Sequence, residues 1–182
     1  FQCGVHNLPG NSSRGFDVSR RIPAQRLSGS LTSYRIAVSA TSEYVTAVGG
    51  TLEAAMSEIN TAINRVNQIF EGDLGIHLNL ITTNSSIIEV APVDFGFSNN
   101  NVSALLNQNQ TQIDTTIGNS NYDIGHVFGT RGGGVAGLRV ACNDDYKAWG
   151  VTGLKNPTGD PFYIDYVAHE IGHQFGGNHS YN

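Results

Sequence analysis

The sequence predicts an α/β domain, in which helices back a twisted, mixed β-sheet and the helix carrying the functional residues comes last. Two observations indicate this fold class. Short stretches rich in β-branched residues are separated by longer stretches whose apolar residues recur at steps of three and four. Such alternation of strand and helix patterns is typical of layered α/β domains. We expect the order β-α-β-α-β-β-α, in a single domain over residues 31–182.

The first half of this domain contains two predicted strands and one long helix. Residues 34–42 alternate and are rich in β-forming types, which predicts the first strand. Apolar residues at helical spacing over 46–71 predict an amphipathic helix, which the glycines within 72–75 should end. Residues 76–81 predict the second strand, and residues 87–91 are expected to extend the sheet.

The second half repeats the pattern and ends on a helix. Residues 102–117 predict a helix, and residues 124–128 a short apolar strand. His126 within that strand is expected to be a core or supporting residue. Residues 135–140 predict a strand at the edge of the sheet, and residues 164–174 predict the last helix.

Composition excludes several kinds of partner. The net charge is −5, with 14% charged residues, and this gives no basic footprint for nucleic acid. Only two lysines are present, and no apolar run reaches the length of a membrane span, so we expect no membrane association. Residues 1–30 are rich in Gly, Ser, Pro and Arg without periodicity, and we interpret them as a linker or propeptide remnant. We expect a monomer.

The most informative pattern is H-E-x-x-H-x-x-G-x-x-H, which begins at His169 and ends at His179. On a helix, His169 and His173 are one turn apart on one face, so both imidazoles can bind one zinc ion. A glycine at position 176 can end the helix in a left-handed turn and bring His179 back as a third ligand. Three protein ligands leave one position for water, as in catalytic zinc sites.

Glu170 lies about 100° further round the helix than His169, which suits a base that reaches water at the metal. Shuffled residues of this composition would give the full pattern with a probability of about 0.00003, so chance is a poor explanation. The sequence therefore predicts zinc ligands at His169, His173 and His179, with Glu170 as the catalytic residue.

This long motif resembles that of the metzincin zinc endopeptidases. The serine after His179 and the Asn-His pair before it are most similar to the adamalysin (reprolysin) branch, and to its secreted bacterial-type members. Residues 34–44, 122–128 and 165–170 also resemble that group, so the resemblance covers residues 31–182. It implies the fold of a metzincin N-terminal subdomain and a secreted, extracellular protein.

The resemblance further implies a zinc-dependent endopeptidase, in which zinc-bound water and a glutamate general base hydrolyse peptide bonds. Metzincins carry a methionine-containing turn after the third histidine, whereas the one methionine here, Met56, lies far upstream. We therefore expect that the Met-turn, the C-terminal subdomain and much of the specificity pocket are absent from this chain. The alternatives are a truncated zinc-binding module without activity and a non-enzymatic binding domain.

In the resembled family an edge strand binds the substrate backbone in extended form. The matching residues are Val135, Ala136, Gly137 and Leu138. An exposed edge offers unpaired amides, so a protein or peptide substrate can add to it as another β-strand. A hairpin with a purely structural role is the alternative.

The two cysteines leave three interpretations open, one of which is that each pairs with a partner in a segment outside this sequence. Cys3 and Cys142 can form a disulfide, which suits an extracellular protein. Alternatively, Cys3-Gly-Val resembles the cysteine switch of metzincin propeptides, in which a thiolate occupies the open zinc position. Arg20, Arg21 and Arg26 then offer sites for an activating protease.

Calcium is a second candidate cofactor, on resemblance alone. Asp123 matches a position that implies a calcium ligand in the family. Other oxygen-bearing residues, such as Asp144 and Asp145, have a spacing that matches no EF-hand loop, and we interpret them as turn residues.

Overall fold

A computed structural model describes residues 3–6 and 31–179, which contain one six-stranded sheet. The strand order across the sheet is β1-β5-β6-β4-β2-β3. The strands are β1 Cys3–His6, β2 Thr32–Ala40, β3 Ile76–Leu80, β4 Ile124–Gly129, β5 Gly133–Gly137 and β6 Gly150–Gly153.

Strand directions make the sheet mixed, as predicted. β2 runs parallel to both β3 and β4, and β4 runs parallel to β6. β5 is antiparallel to β6, whereas β1 is parallel to β5. The expected α/β architecture is therefore confirmed.

Helices cover both faces of the sheet. They are α1 Ser42–Ala47, α2 Leu52–Asp73, α3 Val102–Thr116, α4 Asp160–Phe162 and α5 His169–Gln174; a π-helical segment, Tyr163–Ala168, joins α4 to α5, and 3₁₀ turns lie at Asn84–Ile87 and Asn119–Asn121. Along residues 3–6 and 31–179, no helix combines the length and apolar character needed to cross a lipid bilayer.

Alternation along β2 explains the two layers of helices. Ile36 and Val38 are fully buried in a core shared with α2 and with the helix that carries the site. Ala37, between them, is buried on the other face with Ile113 of α3. Because successive side chains of a strand point to opposite faces, one strand supplies both cores. The site helix thus lies on the same face as α2.

The predicted helix over 46–71 is wrong in its first turn. The chain forms two helices, and the break lies at Gly49 and Gly50, whose φ angles are 124° and 76°. Each helix has its own threonine cap: the Thr41 Oγ1 accepts from the Tyr44 amide, and the Thr51 Oγ1 from the Ala54 amide. A side-chain acceptor at this position satisfies a free amide of the first turn.

Two strand predictions also need correction. Residues 87–91 form no strand; the end of a 3₁₀ turn and an isolated bridge between Ala40 and Ile88 lie there. The strand expected over 135–140 ends at Gly137, because the chain turns at Arg139 with φ of 59°. Nor is β5 an edge strand here, since β1 pairs with its outer side. β6 was not predicted.

The remaining elements agree more closely with the prediction. α3 begins at Val102, as expected, and ends one residue earlier than predicted. The last helical segment begins at Asp160 and so includes the predicted 164–174 helix. Of residues 1–30, only 3–6 lie within the described part, so the linker or propeptide interpretation of the others lies outside it.

Candidate metal centre

The three histidines of the closing motif meet at one point. The Nε2 of His173 lies 3.0 Å from the Nε2 of His169, and the Nε2 of His179 lies 3.3 Å from the same atom. A ligating atom of each of the three lies within 4.8 Å of the others. The predicted ligand set is therefore brought together in space.

These separations fit zinc. Tetrahedral zinc with Zn–N bonds of about 2.05 Å holds its ligand nitrogens about 3.3 Å apart. Neutral imidazole nitrogens are preferred zinc ligands, and three of them leave a coordination position for water or substrate. The donor set and its spacing thus suit a catalytic rather than a closed structural zinc site.

The end of α5 explains how His179 returns to the other two. Gly176 has a φ of 103°, its amide donates to the carbonyl of His173, and the amide of Gly177 donates to the carbonyl of Gly172. These two hydrogen bonds form a Schellman motif, which stops a helix and reverses the chain. The role predicted for the motif's glycine is confirmed.

The ring of His173 has a fixed tautomer. Its Nδ1 lies 2.5 Å from the carbonyl oxygen of Gly177, and because a carbonyl only accepts, Nδ1 must carry the proton. The lone pair is thereby left on Nε2, which faces the other histidines. Burial lowers the pKa of His169, and the imidazoles of His173 and His179 lower it further. Burial also lowers the pKa of His173, as does His179, although the hydrogen bond to Gly177 partly opposes this. The net shift favours the neutral, ligating form of both residues.

Glu170 lies against the strand that was predicted to bind substrate. Its side chain is fully buried, between α5 and β5. A Cβ built on Gly134 of β5 would stand 2.4 Å from Oε1 of Glu170 and 2.5 Å from its Cδ. Only glycine at this position leaves room for the carboxylate. The residue next to the first histidine of the cluster is therefore packed against the strand.

Polar contacts that the sequence did not reveal fix the far end of α5. The backbone amides of Arg139 and Ala141 donate to the carbonyls of His173 and Gln174. The side chain of Gln174 is fully buried and hydrogen-bonds with His126 on β4. His126 was predicted as a core or supporting residue, and its position confirms this. Burial lowers its pKa to about 4, so it is neutral near pH 7.

The residues predicted to bind substrate lie mainly on β5. Val135, Ala136 and Gly137 belong to the strand, and Leu138 follows it in the turn. β1 runs along the outer side of β5, and Cys3 is the register partner of Gly134. Residues 3–6 thus occupy the place in the sheet that was expected for an added peptide strand.

Cys142 is a free, exposed cysteine, so a Cys3–Cys142 disulfide is not formed in this structure. It lies beside the candidate calcium ligand, because its amide donates to the carbonyl of Asp123. The carboxylate of Asp123 forms an ion pair of 2.7 Å with Arg35, which holds the pKa of Asp123 below its usual value. Calcium binding at Asp123 stays a prediction.

A match to a protein family agrees with the closing motif. The family described as Metallo-peptidase family M12B Reprolysin-like matches residues 56–180, which is more than half of the chain. No curated protein sequence matches. Among solved structures, the crystal structure of myroilysin is similar with a TM-score of 0.43 and 12% identity, over 97% of this chain and 51% of that one. This chain therefore spans about half the length of myroilysin.

A metallopeptidase family implies zinc as the metal, and the histidine cluster fits it. The family match includes α5 and all three histidines of the cluster. The chain therefore belongs to the M12B reprolysin-like metallopeptidases, as the metzincin resemblance of its closing motif implied.

Proposed function

We propose that this protein is a zinc-dependent endopeptidase in which His169, His173 and His179 hold the metal and Glu170 is the general base. One observation carries the proposal: the helix that helps bring three imidazole nitrogens to zinc-ligand spacing also carries a fully buried carboxylate, at the residue after His169. When bound, zinc supplies a Lewis acid that polarises a peptide carbonyl and lowers the pKa of water.

Glu170 takes a proton from the attacking water on a carboxylate oxygen, and then delivers it to the leaving amine. Burial suits this role, because a carboxylate shielded from solvent interacts strongly with nearby charges. The proton that it takes up is also shielded from exchange with bulk water. Its fixed place against Gly134 keeps the base at one distance from a substrate lying along β5. Fixed geometry of this kind is a main source of rate enhancement.

Substrate binding is proposed along the outer side of β5. The pairing of β1 with β5 supports it, because the backbone groups of β5 on that side already accept an extended chain. A protein or peptide substrate would take that place as an added β-strand, over Val135, Ala136, Gly137 and Leu138.

We propose further that residues 3–6 regulate the site by occupying the substrate's place. Cys3 is in register with Gly134, the residue that lies against Glu170. As in the propeptides that Cys3-Gly-Val resembles, a Cys3 thiolate would serve as a zinc ligand and block the coordination position needed for catalysis. Cleavage at Arg20, Arg21 or Arg26 would then release the segment. A zinc X-ray absorption spectrum of uncleaved protein without a sulfur ligand would remove this switch.

The decisive experiment for the proposed function uses Glu170→Ala. We expect the variant to retain one zinc per chain while losing cleavage of casein and of a peptide library, because the ligands remain and the base is gone. Cleavage at the wild-type rate would refute the role of Glu170. A wild-type chain that binds zinc and cleaves nothing, even after proteolysis within residues 1–30, would favour the inactive zinc-binding module. Culture-supernatant fractions of the producing cells would test the proposed extracellular location.

A further inference from the structure

We propose that Gln174, His126 and Thr152 are positioning residues for the zinc ligands, acting as a buried hydrogen-bonded row that holds the last turn of α5 against the sheet. We call this row the Gln174 anchor. The inference rests on the proposed zinc chemistry of the histidine cluster. It adds to that site three residues that are not ligands and that lie on three different elements.

The row crosses from the helix through two strands. Nε2 of Gln174 donates to the carbonyl of Gly125 at 2.8 Å, and Oε1 of Gln174 lies 2.9 Å from Nδ1 of His126. Nε2 of His126 lies 2.8 Å from Oγ1 of Thr152 on β6. Gln174, His126 and Thr152 are each 0% exposed. Hydrogen bonds sheltered in this way are costly to break, because a buried group left without a partner keeps its full desolvation penalty.

Each bond in the row has one permitted direction. The Gly125 carbonyl can only accept, so the end of the Gln174 amide facing it must be the NH₂ group. The other end is then the oxygen, which requires a proton on Nδ1 of His126. Neutral His126 therefore offers the lone pair of Nε2 to the Thr152 hydroxyl. If the amide were flipped, Oε1 of Gln174 would face the carbonyl oxygen of Gly125, and both atoms are acceptors. The row therefore specifies one orientation of the Gln174 side chain.

Space for the hydrogen bond between Gln174 and His126 exists because the neighbouring residue of the sheet, Gly150, has no side chain. A Cβ built on Gly150 of β6 would stand 2.3 Å from Nδ1 of His126 and 2.4 Å from Oε1 of Gln174. Contacts this short are not found between real atoms, so a glycine is required beside the hydrogen bond. The anchor thus depends on the packing of β6 as well as on its own members.

The anchor acts on the ligands through the backbone of α5. Gln174 directly follows His173, and the carbonyls of both residues accept hydrogen bonds from the connection between β5 and β6. With the Gln174 side chain also held, the last helical turn is fixed from two sides. The same turn leads through Gly176 to His179, so its position sets where the third ligand returns. Removal of groups that orient metal ligands typically weakens metal binding about 10–100-fold.

The test measures the zinc Kd of the full chain by competition with a chromophoric chelator. We expect Gln174→Leu to weaken zinc binding about 10–100-fold, and Thr152→Val to weaken it less, because Thr152 is two hydrogen bonds from the helix. The cobalt-substituted protein gives a second readout: Gln174→Leu should shift and weaken the visible bands of tetrahedral Co²⁺. A residue that only stabilised the fold would leave that spectrum unchanged.

Gln110 on α3 supplies a matched control. It is also a buried glutamine, and it accepts from the Ala148 amide and donates to the Tyr122 hydroxyl, both at 2.8 Å. It lies on the opposite face of the sheet from α5. Gln110→Leu should lower the Tm while changing the zinc Kd less than about threefold, since it loses comparable hydrogen bonds without touching the ligand helix.

The outcomes separate this inference from the proposed function. If Gln174→Leu fails to fold, Gln174→Met, which keeps the length of the side chain and removes both the acceptor facing His126 and the donor facing Gly125, replaces it with the same expectation. Equal zinc Kd values for the Gln174 and Gln110 variants would overturn the anchor and leave the zinc site standing. A wild-type chain that binds zinc no better than His169→Ala would overturn both.

Discussion

Substituting Gly134 by alanine tests whether the strand backbone places Glu170. The added Cβ would lie 2.4 Å from Oε1 and 2.5 Å from Cδ and Cγ of Glu170, about 1 Å short of the 3.4 Å at which ordinary contact begins. Glu170 is fully buried and so cannot swing into solvent, which means the carboxylate must shift by roughly that distance. The φ of Gly134 is not in the left-handed region, so alanine adds no backbone strain.

A misplacement of about 1 Å in a catalytic group costs on the order of 100-fold in rate. We therefore expect Gly134→Ala to lower kcat/KM about 100-fold, which corresponds to roughly 2.7 kcal/mol of transition-state stabilisation. The zinc content should not change, because the three atoms nearest the new methyl group all belong to Glu170, which is not a zinc ligand.

The assay is hydrolysis of a fluorogenic peptide by zinc-saturated protein after proteolysis within residues 1–30. Gly132→Ala is the matched control: it lies just before β5, and a Cβ there meets nothing within 4 Å. We expect its kcat/KM to equal that of the wild type. Values of kcat/KM for Gly134→Ala and Gly132→Ala that agree within about threefold would show that Gly134 does not place Glu170.

Three further expectations concern stability and metal binding. His173→Ala should lose stoichiometric zinc on dialysis, measured by atomic absorption, since two imidazoles remain. Gly176→Ala should lower the free energy of unfolding by about 1–3 kcal/mol in urea titrations, because alanine is strained at a φ of 103° and its Cβ would meet Arg139. The folded-state pKa of His126, about 4, lies below its ordinary 6.5. The stabilisation of the folded state by neutral His126 is therefore complete above pH 6.5 and is lost as the pH falls toward 4. Urea titrations at about pH 7 and about pH 4 should show a loss near 3 kcal/mol from this group, which His126→Gln should abolish.

The sequence predicted those helices and strands that are specified by the spacing of neighbouring residues. β2, β3 and α3 follow from alternation or helical spacing within a few residues. The break between α1 and α2 was missed because apolar residues keep helical spacing across it, at Val48 and Leu52, while the positive φ angles of two glycines interrupt the backbone. β6 is short and begins and ends with glycine, so only its pairing with β4 and β5 makes it a strand.

In the candidate metal centre, too, the sequence predicted some residues and missed others. The ligand cluster is encoded within eleven residues, so spacing alone predicted that the three histidines converge. The contact between Gln174 and His126 joins residues 48 apart in the chain, and the residues around neither of them predict it. Likewise, a glycine at 134 acquires its meaning only when α5 packs on β5 and brings Glu170 beside it. Tertiary packing, rather than propensity, supplies these supporting residues.

The pairing of β1 with β5 also bears on how the protein behaves in solution. Removing residues 3–6 would leave the outer hydrogen-bonding groups of β5 unpaired, on a strand with three glycines and no charged residue. Exposed, uncharged strand edges promote self-association through intermolecular strand pairing. The proteolysed form should therefore be less soluble than the intact one, and a bound peptide should restore its solubility. In this respect the N-terminal strand protects against aggregation, whatever its effect on the zinc site.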